Sequence, residues 1–88
     1  MSAENEMTNL QAFAGSDPSL LLVDDDRPFL TRLARAMEIR GFQVETAETV
    51  AEAIAKVRMK APAFAVVDMR LNDGNGLDVI SAIRERRE

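Results

Sequence analysis

Two short apolar runs, each halted by aspartate, limit what this chain can fold into. Leu20-Leu21-Leu22-Val23 stops at Asp24-Asp25-Asp26, and Phe64-Ala65-Val66-Val67 stops at Asp68. A strand that is apolar at every position, rather than at alternate ones, needs cover on both faces. That is the habit of parallel strands flanked by helices. The residues between the two runs supply such helices. Pro28 suits a first helical turn, and Leu30, Leu33, Ala34 and Met37 make one apolar stripe that ends at Gly41. Phe42, Val44 and Thr46 alternate with polar residues, as a strand does. Thr49-Val50-Ala51-Glu52 matches a capping box, opening a second helix with Val50, Ala53, Ile54, Val57 and Ala61 on its inner stripe, closed by Pro62. After Asp68 a polar, Gly-containing loop leads to a third helix with Leu77, Ile80 and Ile83 or Arg84 facing inward. The order β-α-β-α-β-α, with long connections, predicts a parallel sheet built by right-handed crossovers.

Residue usage narrows the chemistry. The 88 residues, enough for one domain, contain no cysteine and no histidine. This excludes disulfide frameworks, zinc fingers, Ser-His-Asp and Cys-His catalysis. Fifteen acids against 11 bases give a net charge of −4, which argues against a nucleic-acid surface in this segment, and 5% aromatic content argues against base-stacking platforms. No stretch approaches the roughly 20 apolar residues of a membrane helix, and the acidic start at Met1-Ser2-Ala3-Glu4-Asn5-Glu6 is unlike a secretory signal. A cytoplasmic protein with no membrane contact is expected. Residues 1–18 lack sustained periodicity, although Met7, Leu10 and Phe13 could share a short amphipathic turn before Gly15, Ser16, Asp17 and Pro18. This segment reads as a flexible N-terminal tail, with the domain over residues 19–88.

Carboxylate chemistry remains. In open α/β sheets, ligands gather beyond the carboxyl ends of the strands. If the first and third strands are neighbours, Asp24, Asp25 and Asp68 converge there. Two carboxylates about 4 Å apart repel by ~1 kcal/mol in water and ~4 kcal/mol at an effective dielectric of 20. A cation relieves that repulsion, and hard oxygen ligands without His or Cys point to Mg²⁺ or Mn²⁺. Asp26 has a simpler reading as a helix N-cap, and Asp73-Gly74 and Asn75-Gly76 read as turn dipeptides. An EF-hand fails: with Gly76 at its sixth position, Leu71 and Ala82 would occupy ligand positions, and with Gly74 there, Met69 and Leu71 would. The D-x-D spacing of haloacid-dehalogenase-type phosphatases fits Asp24 and Asp26, but Pro28 stands where that family has Thr or Val.

Taken together, the first run with Asp24-Asp25-Asp26 and the second with Asp68-Met69-Arg70-Leu71-Asn72-Asp73-Gly74-Asn75-Gly76-Leu77 resemble the receiver domain of two-component response regulators. The Asp-Gly-Asn-Gly-Leu ending looks like the RegA/ActR group of redox- and pH-responsive transcriptional regulators. The resemblance covers residues 19–88. It implies a partial flavodoxin-like, doubly wound sheet that stops after three βα units, lacking the last two. It further implies Asp68 as phosphoacceptor, Asp24 and Asp25 as the acidic pair holding Mg²⁺, and the backbone carbonyl of Arg70 as a further metal ligand. Gly76 would let the loop turn into the third helix. Asn72 stands where many receivers have Pro.

The implied partner is a sensor histidine kinase. DNA would be reached only through a C-terminal effector domain that these 88 residues lack, as they lack the receiver's switch Thr or Ser and its final Lys. The chain thus reads as the N-terminal piece of a response regulator. Removing two strands from the implied order 2-1-3-4-5 would leave the third strand as an edge with no charge, Pro or Gly, and a homodimer through that edge is expected. Two further readings stay open: a metal-dependent phosphatase of the dehalogenase kind, distinguished by turnover of a phosphomonoester, and an inert α/β interaction fragment, distinguished by failure to bind Mg²⁺.

Overall fold

A computed structural model describes residues 17–87. The elements run β1 (Ser19–Val23), α1 (Arg27–Ile39), β2 (Gln43–Ala47), α2 (Val50–Met59), β3 (Phe64–Val67), β4 (Arg70–Leu71), β5 (Gly74–Asn75) and α3 (Gly76–Arg87). The strand β1 pairs in parallel with β2 on one side and β3 on the other, giving the order β2-β1-β3. The expected partial doubly wound sheet is therefore present. The tail expected over residues 1–18 lies, for residues 1–16, outside the described residues. Asp17 and Pro18 lead into the sheet, with Asp17 Oδ1 accepting from the Ser19 N–H (3.1 Å) and the Pro18 carbonyl accepting from the Gln43 N–H (2.9 Å).

The sheet divides the core in two. Leu21 and Val23 face α2 and α3, packing with Ala53, Val57 and Val79. Leu20 and Leu22 face α1, packing with Leu30 and Phe42. The four apolar residues of β1 are each only 1–3% exposed, as an uninterrupted apolar run requires. Phe42 sits just before β2 and meets Phe64 edge-to-face at a centroid distance of 5.6 Å.

Helix ends follow the sequence signals. Asp26 caps α1 by accepting from the Phe29 N–H (3.1 Å), and Pro28 lies in its first turn. The C-terminus of α1 closes as a Schellman motif: the Gly41 N–H donates to the Glu38 carbonyl, the Phe42 N–H to the Met37 carbonyl, and Gly41 has φ 98°. Thr49 Oγ1 accepts from the Glu52 N–H (3.1 Å), half of the expected capping box. The other half departs from expectation, because the Glu52 carboxylate takes the Glu48 N–H (2.7 Å), one residue before the cap.

Three expectations need correction. The unbroken apolar run of the third strand predicts burial on both faces. Ala65 and Val66 are exposed, Val66 at 53%, because β1 is the one neighbour of β3 among the described strands. The inner stripe of α3 is Gly76 and Val79, with Ala82 and Ile83 packed against the core, while Leu77 is 55% exposed. Close contact at Gly76 sets that rotation. Finally, α2 ends at Met59 with Lys60 as its C-cap, leaving Ala61 beyond the helix.

Candidate functional site

Strand pairing brings the aspartates together. The ladder continues one residue past each strand: the Asp24 N–H donates to the Ala47 carbonyl (3.1 Å) and the Asp68 N–H to the Val23 carbonyl (2.9 Å). Asp24 and Asp68 are thereby fixed at the carboxyl ends of adjacent parallel strands, where such sheets place ligands. One carboxylate oxygen from each of Asp24, Asp25 and Asp68 lies within 4.8 Å of the other two. The salt bridges Arg27–Glu48 and Lys56–Glu45 involve none of the three. Asp24 Oδ1 accepts from the Asp26 N–H (2.9 Å) and Asp68 Oδ1 from the Arg70 N–H (3.3 Å), which orients each side chain locally.

The donor set fits a hard divalent cation. Carboxylate oxygens alone, with no imidazole or thiolate in the sequence, favour Mg²⁺ over soft-ligand metals. At this spacing, mutual repulsion of ~1–4 kcal/mol per pair is relieved by a bound cation.

The peptide after Asp68 is held from behind by α3. A Cβ on Gly76 would fall 2.2 Å from the Asp68 carbonyl oxygen and 2.9 Å from Val67 Cγ1. Gly76 does not have positive φ, so the glycine serves close approach rather than the turn the sequence suggested. The Gly76 N–H donates to the Met69 carbonyl (2.9 Å), and Asn75 Oδ1 accepts from the Leu77 N–H (2.8 Å).

The loop itself is a small antiparallel hairpin, β4 against β5, with Arg70 opposite Asn75 and Leu71 opposite Gly74. Asp73 at its tip does more than turn the chain. Its Oδ1 accepts from the Val50 N–H (2.7 Å) and its Oδ2 from the Ala51 N–H (3.1 Å) at the start of α2. With Thr49 serving Glu52 and the Ala53 N–H bonded to the Thr49 carbonyl, all four leading N–H groups of α2 are satisfied. Those two backbone donors hold the Asp73 carboxyl below its ordinary pKa. The loop following Asp68 is thus tied to another helix. Sequence reasoning saw only a turn dipeptide here, since no local signal marks a cap 22 residues away. It also missed the Arg27–Glu48 pair (3.1 Å), which links the start of α1 to the loop after β2.

Comparison with known proteins agrees with this geometry. The family model described as the response regulator receiver domain matches residues 20–88. The chain is 65% identical over 85 residues to the photosynthetic apparatus regulatory protein RegA of Rhodobacter capsulatus, covering 97% of this chain and 44% of that protein. It is 59% identical over 88 residues to the acid tolerance regulatory protein ActR of Rhizobium meliloti, covering 100% of this chain and 45% of that protein. The chain therefore spans less than half the length of these relatives. Among solved structures, the non-phosphorylated HemR receiver domain from Leptospira biflexa matches with a TM-score of 0.72 at 37% identity, over 80% of this chain and 56% of that one. With the paired strand ends, the acidic cluster and the family match in agreement, the chain belongs to the response regulator receiver family, of which it carries the first three βα units.

Proposed function

We propose that the acidic cluster is a phosphoacceptor site, with Asp68 taking a phosphoryl group from the phosphohistidine of a sensor histidine kinase. The observation that carries this reading is the convergence of Asp24, Asp25 and Asp68 within 4.8 Å at adjacent strand ends. Asp24, Asp25, Asp68 and the Arg70 backbone carbonyl would hold Mg²⁺, whose positive charge supplies neutralisation of the phosphoryl oxygens. An Asp68 carboxylate oxygen attacks phosphorus, an O–P bond forms, and the P–N bond to the donor imidazole breaks. The bonding pair leaves on the imidazole nitrogen, and Asp68 becomes an acyl phosphate. The Arg70 N–H on Asp68 Oδ1 orients the nucleophile, while Gly76 and the Asp73 cap fix the peptide that follows it.

Such a module accepts one phosphoryl group per donor and does not turn over. In the longer protein, the added charge would bias a downstream effector that binds DNA and controls transcription, within the cytoplasm. The exposed edge of β3 adds a second expectation for the 88-residue chain, self-association through Ala65 and Val66.

A Mg²⁺ titration followed by amide chemical shifts tests the reading. Localised shifts at residues 24, 25, 68 and 70 that disappear in Asp25→Ala support it. Equal, diffuse shifts in both chains would reject it.

A further inference from the structure

The two segments that carry the aspartates have a second meeting place, at the start of α2. From the first of them, the Asp24 N–H donates to the Ala47 carbonyl (3.1 Å), and Arg27 Nε donates to both carboxylate oxygens of Glu48 (3.3 and 3.1 Å). From the second, the Asp73 carboxylate takes the Val50 and Ala51 N–H groups (2.7 and 3.1 Å). The stretch from Ala47 to Ala51 is thus bonded from both sides of the acidic cluster without contributing a carboxylate to it.

The two ties differ in strength. The Arg27 side chain is 77% exposed, so its pair with Glu48 is screened by water and weak. Asp73 makes charge-assisted bonds to two N–H groups that have no partner within their own helix. Apolar packing reinforces it: Leu71 of the hairpin and Val50 of α2 are buried in the same core cluster, and a Cβ on Gly74 would touch Val50 Cγ2 at 3.4 Å. Asp73 is three residues from Arg70 and five from Asp68, and the pairing of Arg70 with Asn75 and of Leu71 with Gly74 stiffens the interval. A displacement of the Arg70 peptide therefore reaches Asp73 with little slack.

We propose that Asp73 is a positioning residue that couples occupancy of the acidic cluster to the first turn of α2. The inference rests on the metal-binding reading given above and adds an outlet to it. With the Asp68 carboxylate and the Arg70 carbonyl engaged on a cation, the hairpin loses freedom and Asp73 stays on α2. With the cluster empty, the hairpin opens more often and releases the Val50 and Ala51 N–H groups. The coupling is reciprocal, so loosening the cap weakens cation binding by the factor with which the cation tightens the cap. This outlet lies on the sheet face that carries α2 and α3, opposite α1.

Amide hydrogen exchange of the 88-residue chain, read by NMR with and without saturating Mg²⁺, tests the coupling, together with the Mg²⁺ affinity of three variants. Mg²⁺ should slow exchange at Val50 and Ala51 by about 5-fold, the low end of ordinary coupling, with no change at Gly41 beyond the far end of α1. Asp73→Ala should abolish that response and weaken Mg²⁺ binding by the same factor. Asp73→Asn, which keeps one oxygen acceptor, should fall between the two. Thr49→Ala removes the neighbouring cap on the Glu52 N–H without touching the hairpin, and its Mg²⁺ affinity should equal that of wild type. Equal weakening by Asp73→Ala and Thr49→Ala would overturn the proposal, reducing Asp73 to a stabiliser of α2. Localised Mg²⁺ shifts at Asp24, Asp25 and Asp68 with unchanged exchange at Val50 and Ala51 would overturn it alone, leaving the metal reading in place, and this wild-type measurement decides the matter if Asp73→Ala fails to fold. Absence of localised shifts at the three aspartates would reject the metal reading and this inference with it.

Discussion

Replacing Gly76 with alanine should damage the fold and the site together. The added Cβ would lie 2.2 Å from the Asp68 carbonyl oxygen, whereas close carbon–oxygen contacts settle near 3.3–3.6 Å, so the two backbones must part by about 1 Å. Neither side yields easily. The start of α3 is tied to the hairpin through the Met69 carbonyl and Asn75 Oδ1, and Asp68 is tied to β1 through the Val23 carbonyl. Overpacking of this kind costs about 1–3 kcal/mol, and a backbone obstacle places it at the upper end. Alanine's helix propensity returns up to about 1 kcal/mol. The net loss is about 2 kcal/mol, which for a domain of this size lowers Tm by roughly 8–16 °C. Urea and thermal unfolding monitored by circular dichroism measure it, and Mg²⁺ affinity should weaken in the same variant as Asp68 shifts. Gly41→Ala is the comparison. Its φ of 98° makes it cost about 1–2 kcal/mol, far from the aspartates, with Mg²⁺ affinity unchanged. A Gly76→Ala chain as stable as wild type, or one that binds Mg²⁺ equally well, would refute the reasoning.

Asp73→Ala should destabilise the chain at neutral pH by removing the acceptor for the Val50 and Ala51 N–H groups. Because the folded-state pKa of Asp73 is depressed, its contribution is present above the ordinary value of 3.8 and lost as pH falls through the lower folded value. The gap between variant and wild-type urea midpoints should therefore close in acid, and a gap constant with pH would contradict the assignment. Leu22→Ala, at a residue 1% exposed between β2 and β3, should cost about 2–5 kcal/mol in urea unfolding, and a loss under about 1 kcal/mol would disprove tight packing there. Val66→Lys should reduce self-association in analytical ultracentrifugation across a wide concentration range, and unchanged association would clear the β3 edge of that role.

The parts of this molecule legible in its sequence are those governed by local chemistry or by period. Apolar runs gave β1 and its burial, Asp26 and Thr49 gave the helix starts, and Gly41 gave the end of α1. The convergence of Asp24, Asp25 and Asp68 was legible because parallel pairing of two Asp-ended runs leaves them little choice of place. What escaped was nonlocal. Asp73 bonds a helix 22 and 23 residues away, and Ser19 Oγ accepts the Ala63 N–H 44 residues on (2.9 Å). The inner face of α3 was misjudged because Leu77 outranks Val79 in size. A backbone contact at Gly76, which no hydrophobic pattern records, decides the rotation. The sequence around Gly76 reads as a turn, whereas in the structure Gly76 is the surface on which the Asp68 peptide rests.

Locating the phosphoryl group tests the central claim most directly. The chain is incubated with a small acyl-phosphate donor with and without Mg²⁺, reduced with borohydride to convert any aspartyl phosphate to homoserine, and digested for mass spectrometry. Without the lysine contact implied for a longer receiver, worth ~1.5–3 kcal/mol, labelling should be slow. It should nevertheless fall on Asp68, require Mg²⁺, and vanish in Asp68→Asn. Label on Asp73 or Asp78, or Asp68 labelling indifferent to Mg²⁺ and to Asp25→Ala, would contradict the account.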